Sequence, residues 1–199
     1  LKTLDTKERL LDATMKLVSK KGYLGATTRE IAQEAGVSEI TLFRNFGSKE
    51  KLFEGMLGQY TFLPQLKELR PRLDKLPYEE ALYMVATRFL LTLKEQKSFI
   101  KIMFSEVNLY PGKIRKVYNN TIDETRATLA DYFTSLQKKG VLRKISPEAS
   151  ARTFLSMLVA YFRSEEIMRG LDITKKGKMD REVREIVDIF VHGTLKERD

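Results

Sequence analysis

The chain is predicted to be all-α, with about nine helices, and three observations carry that expectation. Apolar residues recur at helical spacing through most of the 199 residues, and no segment alternates with the period of a strand. Serine, threonine and aspartate stand before the periodic segments, where they cap, and glycine or proline stands after them. Residues 27–46, TTREIAQEAGVSEITLFRNF, read as helix, tight turn, helix, with more interlocking signals than any other stretch.

Asp5-Thr-Lys-Glu8 has the form of a capping box and opens the first helix, which runs through Leu10, Leu11, Thr14, Leu17 and Val18 to a stop at Lys20-Lys21-Gly22. Thr27 is placed to cap the second helix while Glu30, three residues on, closes a second box. Ala35 and Gly36 end it, at a sharp turn where positive φ is cheap only without a Cβ. Ser38 caps the third helix, on which Ile40, Phe43 and Phe46 are expected on or near one apolar stripe that meets Ile31, Ala32 and Ala35. Gly47-Ser48 punctuates, and Lys49-Glu-Lys-Leu-Phe53 starts the fourth helix. Two short amphipathic helices about the turn Gly36-Val37-Ser38 match the helix-turn-helix unit, whose second helix enters the major groove. A plain αα-hairpin shares that spacing.

Residues 7–57, with KGYLGATTREIAQEAGVSEITLFRNFGSKEKLF inside them, closely resemble the N-terminal domain of TetR/AcrR-type transcriptional repressors. Gly22-Tyr23, Thr27-Thr28, Ile31-Ala32, Ala35-Gly36-Val37-Ser38, Thr41-Leu42, Phe46 and Ser48-Lys49-Glu50 fall at the family's spacings. The resemblance implies a DNA-binding domain of three helices over 1–47 and a helical effector-binding and dimerisation domain over 48–199, linked by the helix from 48. It implies a sequence-specific DNA-binding regulator, a repressor before an activator. It also places Thr27, Thr28 and Arg29, then Ser38, Glu39, Thr41, Phe43, Arg44 and Asn45, then Lys49, at the DNA. The Thr27-Thr28 corner and Lys49 are expected on phosphates, and Arg44 on guanine through a bidentate contact. Three positions depart from the commonest pattern. Phe43 lacks the hydroxyl of a frequent tyrosine, Asn45 stands for a frequent His or Tyr, and Glu39 puts negative charge near DNA, as a helix-start residue or an acceptor from cytosine N4.

Beyond residue 57, Pro64, Pro71 and Pro77 are expected to break the chain up to a fifth helix at 78–96. A sixth follows over Ser98–Val107, ended by Asn108-Leu-Tyr-Pro-Gly112, and a seventh over 113–139 with Gly140 as its stop. Ser146-Pro147 opens an eighth helix to about Arg169-Gly170, and a ninth covers 180–195.

The last two helices carry stripes wide enough for a core and a partner: Phe154, Leu155, Leu158, Val159 and Phe162, with Val183, Ile186, Val187, Phe190 and Val191. By the resemblance these helices pair with their symmetry mates, so all but Leu155 and Val183 are expected at a homodimer interface. A two-fold dimer offers recognition helices to the half-sites of a palindromic double-stranded operator, roughly 34–36 Å or a multiple apart. For an effector cavity the candidates are Met84, Arg88, Phe89, Phe99, Met103, Phe104, Tyr118, Phe133, Met157 and Tyr161. Apolar types dominate that set, so a lipophilic or amphipathic small molecule is expected, although any helical core needs the same residues.

Composition bounds the remaining classes. With 42% hydrophobic and 32% charged residues and no apolar run near the ~18 that a membrane span needs, the chain reads as a soluble globular protein. Residues 1–18 are amphipathic, so no signal peptide is expected, and zero cysteines suit a cytoplasmic protein. The net charge of +9 lies mostly outside the DNA-binding part: residues 1–60 hold 10 Lys and Arg against 8 Asp and Glu. The local set Lys2, Lys7, Arg29, Arg44 and Lys49 localises a phosphate-binding face better. Catalysis finds little support: the lone His192 sits by the C-terminus, and Glu79-Glu80 and Glu165-Glu166 point to different helix faces. No catalytic residue, metal or cofactor is therefore expected. The rival reading is a helical adaptor or membrane-surface protein that uses the C-terminal basic excess.

Overall fold

Helices start at the side-chain caps of Asp5, Thr27, Ser38, Ser48 and Ser146. The computed structural model describes residues 5–196, so Lys2 lies outside the described residues. The Asp5 carboxylate accepts from the Glu8 N–H at 2.8 Å while that of Glu8 accepts from the Asp5 N–H at 3.0 Å, which opens α1 (Thr6–Gly25). Gly22 interrupts α1 at φ 71° and ψ 173°, where a residue with a Cβ is strained. Then come α2 (Thr28–Glu34), α3 (Glu39–Phe46) and α4 (Lys49–Tyr60). Beyond them lie α5 (Leu63–Leu73), α6 (Tyr78–Glu95), α7 (Lys97–Glu106), α8 (Gly112–Lys138), α9 (Pro147–Phe162) and α10 (Lys178–Thr194). Gly140, at φ 71°, closes α8 with the Val141 N–H on the Leu136 carbonyl at 3.0 Å. A π-type turn, Arg163–Met168, prolongs α9, and the described strand-like pairing is one bridge between Leu142 and Leu195.

Helix α5 occupies the region read as broken by proline. Pro64 takes a first-turn position, where a missing N–H costs nothing, and Pro71 sits exposed in the last turn. Buried Leu63, Leu66 and Leu73 outweigh the one bond lost to Pro71.

The chain packs as two units. The first takes the described residues through Thr61 together with Gln96–Thr121, and the second takes Phe62–Glu95 and the described residues from Ile122 on. The first is therefore larger than 1–47: α4 and α7 both lie along α1. Its core joins Leu10, Val18, Ile31, Leu42, Phe53 and Met56 to Phe99 and Met103 of α7, two of the residues expected at an effector cavity. Tyr23 packs edge-on against Phe53 at 5.1 Å.

In the second unit α10 and α9 pack on α6. Phe154, Leu158, Phe162, Val187, Phe190 and Val191 are buried within this unit, so most of the stripe expected at a dimer interface is spent on its core. Val159 and Ile186 remain half-buried, and the large apolar side chain left exposed on α10 is Ile189. The Tyr78 hydroxyl and Thr194 Oγ1 share a buried hydrogen bond at 2.8 Å that ties the start of α6 to the end of α10.

Two glycines give opposite expectations. A Cβ on Gly22 meets the Glu106 carboxylate and the wrong backbone region, so Gly22→Ala lowers unfolding free energy by about 1–3 kcal/mol in urea titration. Gly58, exposed within α4 with open space around it, gains about 0.5–1 kcal/mol on replacement by Ala.

Candidate nucleic-acid interface

The helix-turn-helix is built from its caps. Thr27 Oγ1 accepts from the Glu30 N–H at 3.2 Å, and the Glu30 carboxylate accepts from the Thr27 N–H at 3.1 Å. The bond from Lys21, at 2.7 Å, and those from Thr27 hold the Glu30 carboxyl down to about 2. The box thus keeps its charge across the working pH range and loses it only as pH falls toward that value. At the turn Gly36 adopts φ 67°, and the Val37 N–H reaches the Ala32 carbonyl at 2.9 Å. Ser38 then caps α3 by accepting from the Thr41 N–H at 3.2 Å.

Leu42 sets the rotation of α3. It is fully buried, and Phe46, one turn on, packs half-buried against the same core. Ile40 lies two residues from Leu42 and so nearly opposite on the helix, and it is 80% exposed; Phe43 is 44% exposed. The stripe expected to pack inward is thus corrected: Leu42 and Phe46 face the core, and Ile40 and Phe43 face out.

Several residues assigned to DNA are tied inside the motif. The Thr27 hydroxyl donates to Glu30 at 2.9 Å, and the Thr28 hydroxyl donates to Glu39 Oε1 at 2.5 Å, which joins the starts of α2 and α3. Ser38 and Thr41 share a hydroxyl bond at 2.9 Å, and Asn45 Nδ2 donates to the Thr41 carbonyl at 2.7 Å. Lys49 Nζ donates to the Tyr23 carbonyl at 2.6 Å and stands 4.4 Å from the centre of its ring. Burial pushes the Lys49 ammonium below its usual range. One bond leaves two of its three N–H donors. Arg29 and Arg44 are exposed and carry no ion pair among the described residues, whereas Lys16 and Lys21 are paired with Glu34 and Glu30. The outward row of α3 is Ile40, Phe43 and Arg44, at i, i+3 and i+4. Ile40 was missed as a surface residue because an eight-residue helix with four large apolar side chains admits two stripes.

The effector candidates divide between the units: Phe99, Met103, Phe104 and Tyr118 belong to the first, and Met84, Arg88, Phe89, Phe133, Met157 and Tyr161 to the second. Phe89 and Phe133 are buried in the core of the second unit. That unit has a groove of about 670 Å³ along α5, α6 and α10. Met84 and Arg88 line it beside Leu69, Arg72, Tyr83 and Leu91. Pro64 and Pro71 mask the helix that carries Leu69 and Arg72 in the sequence. Among the described residues no His, Cys, Asp and Glu group could hold a metal, and no helix is long and apolar enough to cross a membrane.

Comparison with known proteins agrees with this geometry. The profile of bacterial regulatory proteins of the tetR family matches residues 10–56, and that of the AefR-like transcriptional repressor C-terminal domain matches residues 80–193. An uncharacterized HTH-type transcriptional regulator, YvkB of Bacillus subtilis (strain 168), is 34% identical over 79% of this chain and 81% of its own. The HTH-type transcriptional repressor NicS of Pseudomonas putida is 27% identical over 80% of this chain and 76% of its own. Among solved structures, NalD, the secondary repressor of the MexAB-OprM multidrug efflux pump in Pseudomonas aeruginosa, shares the fold. It has a TM-score of 0.70 and 18% identity over 98% of this chain and 97% of that one. The relative 34% identical over 79% of this chain, and a profile spanning more than half of the chain, establish that the protein belongs to the TetR family and is a DNA-binding transcriptional regulator.

Proposed function

We propose that this regulator is a repressor that binds a palindromic operator as a homodimer and leaves it when a lipophilic or amphipathic small molecule binds. The observation that carries the DNA-reading part is the outward row of α3, where Arg44 is exposed with no competing carboxylate among the described residues. An unpaired guanidinium on a recognition helix suits guanine O6 and N7. Arg29, Lys7 and the two spare donors of Lys49 serve phosphates. Thr27, Thr28, Ser38, Thr41 and Asn45 act by holding this row in place, and Glu39 does so through Thr28. Repression is supported by the repressors among its relatives.

One helix-turn-helix reads half a palindrome, so a two-fold dimer is needed to read the whole. For its interface we assign the outer faces of α9 and α10, with Val159, Ile186 and the 65% exposed Ile189. The effector is assigned to the groove along α5, α6 and α10, whose apolar wall is flanked by exposed Arg72 and Arg88. An effector acts by binding the DNA-free conformation better than the bound one.

The deciding experiment is selection of bound fragments from the source genome by the full chain; failure to enrich any palindromic sequence contradicts the reading. On the selected operator, Arg44→Ala costs about 1–3 kcal/mol and relaxes one base position in each half-site. Lys49→Ala weakens cognate and random DNA alike and lowers the salt slope by about 1, and it also lowers the melting temperature because the Tyr23 carbonyl loses its donor. An unchanged salt slope with a lower melting temperature leaves Lys49 as an internal tie alone. Ile189→Asp shifts sedimentation from dimer to monomer. A panel of lipophilic compounds that moves neither operator affinity nor melting temperature rejects the effector assignment.

A further inference from the structure

We propose that Ile40 is a specificity-determining residue that reads the 5-methyl group of a thymine in the major groove. The inference rests on the DNA-reading role of α3 and names what one position of that face recognises. Ile40 is the second residue of α3, and the first turn of a recognition helix is the part that reaches base edges. It is 80% exposed, while Leu42 is fully buried and fixes the rotation that puts it there. The row continues through Phe43, 44% exposed, so two large apolar side chains lie side by side with Arg44 beyond them.

The chemistry then selects the base. Base edges in the major groove present mainly donors and acceptors, and the thymine methyl is the one sizeable apolar group, cytosine offering only a hydrogen at the same carbon. An isoleucine has no donor or acceptor, so against guanine, adenine or cytosine it removes water from a polar edge and gives nothing back. Against thymine it buries its own exposed surface and a methyl together. The surrounding polar side chains of α3 do not compete for that position, because Ser38, Thr41 and Asn45 are hydrogen-bonded within the helix and Glu39 is held by Thr28.

The test replaces each thymine of the selected operator in turn with deoxyuridine, which removes only the methyl, and measures binding of the full chain by fluorescence anisotropy. The wild-type chain loses about fourfold in affinity at one thymine of each half-site, the value of one buried methyl. Ile40→Ala binds the thymine and deoxyuridine forms at that position equally, and Ile40→Val keeps most of the discrimination. Because Ile40 is exposed, both variants melt with the wild type. A wild-type chain indifferent to every deoxyuridine, or an Ile40→Ala variant that keeps the full ratio, overturns the inference and leaves the DNA-reading function standing. Failure to select any operator removes that function and this inference with it.

Discussion

The rotation of α3 about its own axis depends on Leu42. With about 100° between successive residues, the choice of the one side chain that enters the core decides where every other one points. Leu42 has no solvent exposure and Phe46 follows it one turn on, so Ile40, Phe43 and Arg44 share the opposite face. The turn upstream allows this placement because Gly36 takes a positive φ. The Ser38 cap then fixes the residue at which α3 begins.

The face that results is less polar than the motif leads one to expect. Side chains that look free in the sequence are engaged nearby: Thr28 with Glu39, Ser38 with Thr41, Asn45 with its own helix, Lys49 with the Tyr23 carbonyl. These bonds brace α2, α3 and α4, and they leave an apolar pair and one arginine facing outward. The exposed ion pairs Lys16–Glu34 and Lys21–Glu30, which join α1 to α2, add little stability of their own. The buried cluster from Leu10 to Met103 holds the motif.

Much of this was legible in the sequence, and the misses have physical causes. The capping boxes at Asp5 and Thr27, the Gly36 turn and the Ser146-Pro147 start all stand where the residue types require, because each signal is local. What local pattern does not fix is which of two apolar stripes faces inward. Ile40, Leu42, Phe43 and Phe46 admit two rotations, and packing against α2 and α4 selects one. The α9 and α10 stripes pose the same ambiguity at larger scale: Phe154, Leu158 and Phe190 suit a partner surface and a core equally, and packing on α6 took them. At α5 the prolines outweighed three buried leucines in the sequence, whereas in the fold one sits at the helix start and the other faces solvent.

The chain contains no cysteine, which permits a direct measurement of how α3 is turned. Single cysteines at 40, 43 and 44, in the full chain, are exposed to a thiol-reactive label with and without operator DNA. All three label rapidly in the free protein and are strongly protected by operator, with no protection from a random duplex. Slow labelling at 40 and 43 in the free protein, or labelling that operator leaves unchanged, contradicts the placement of this face at the DNA.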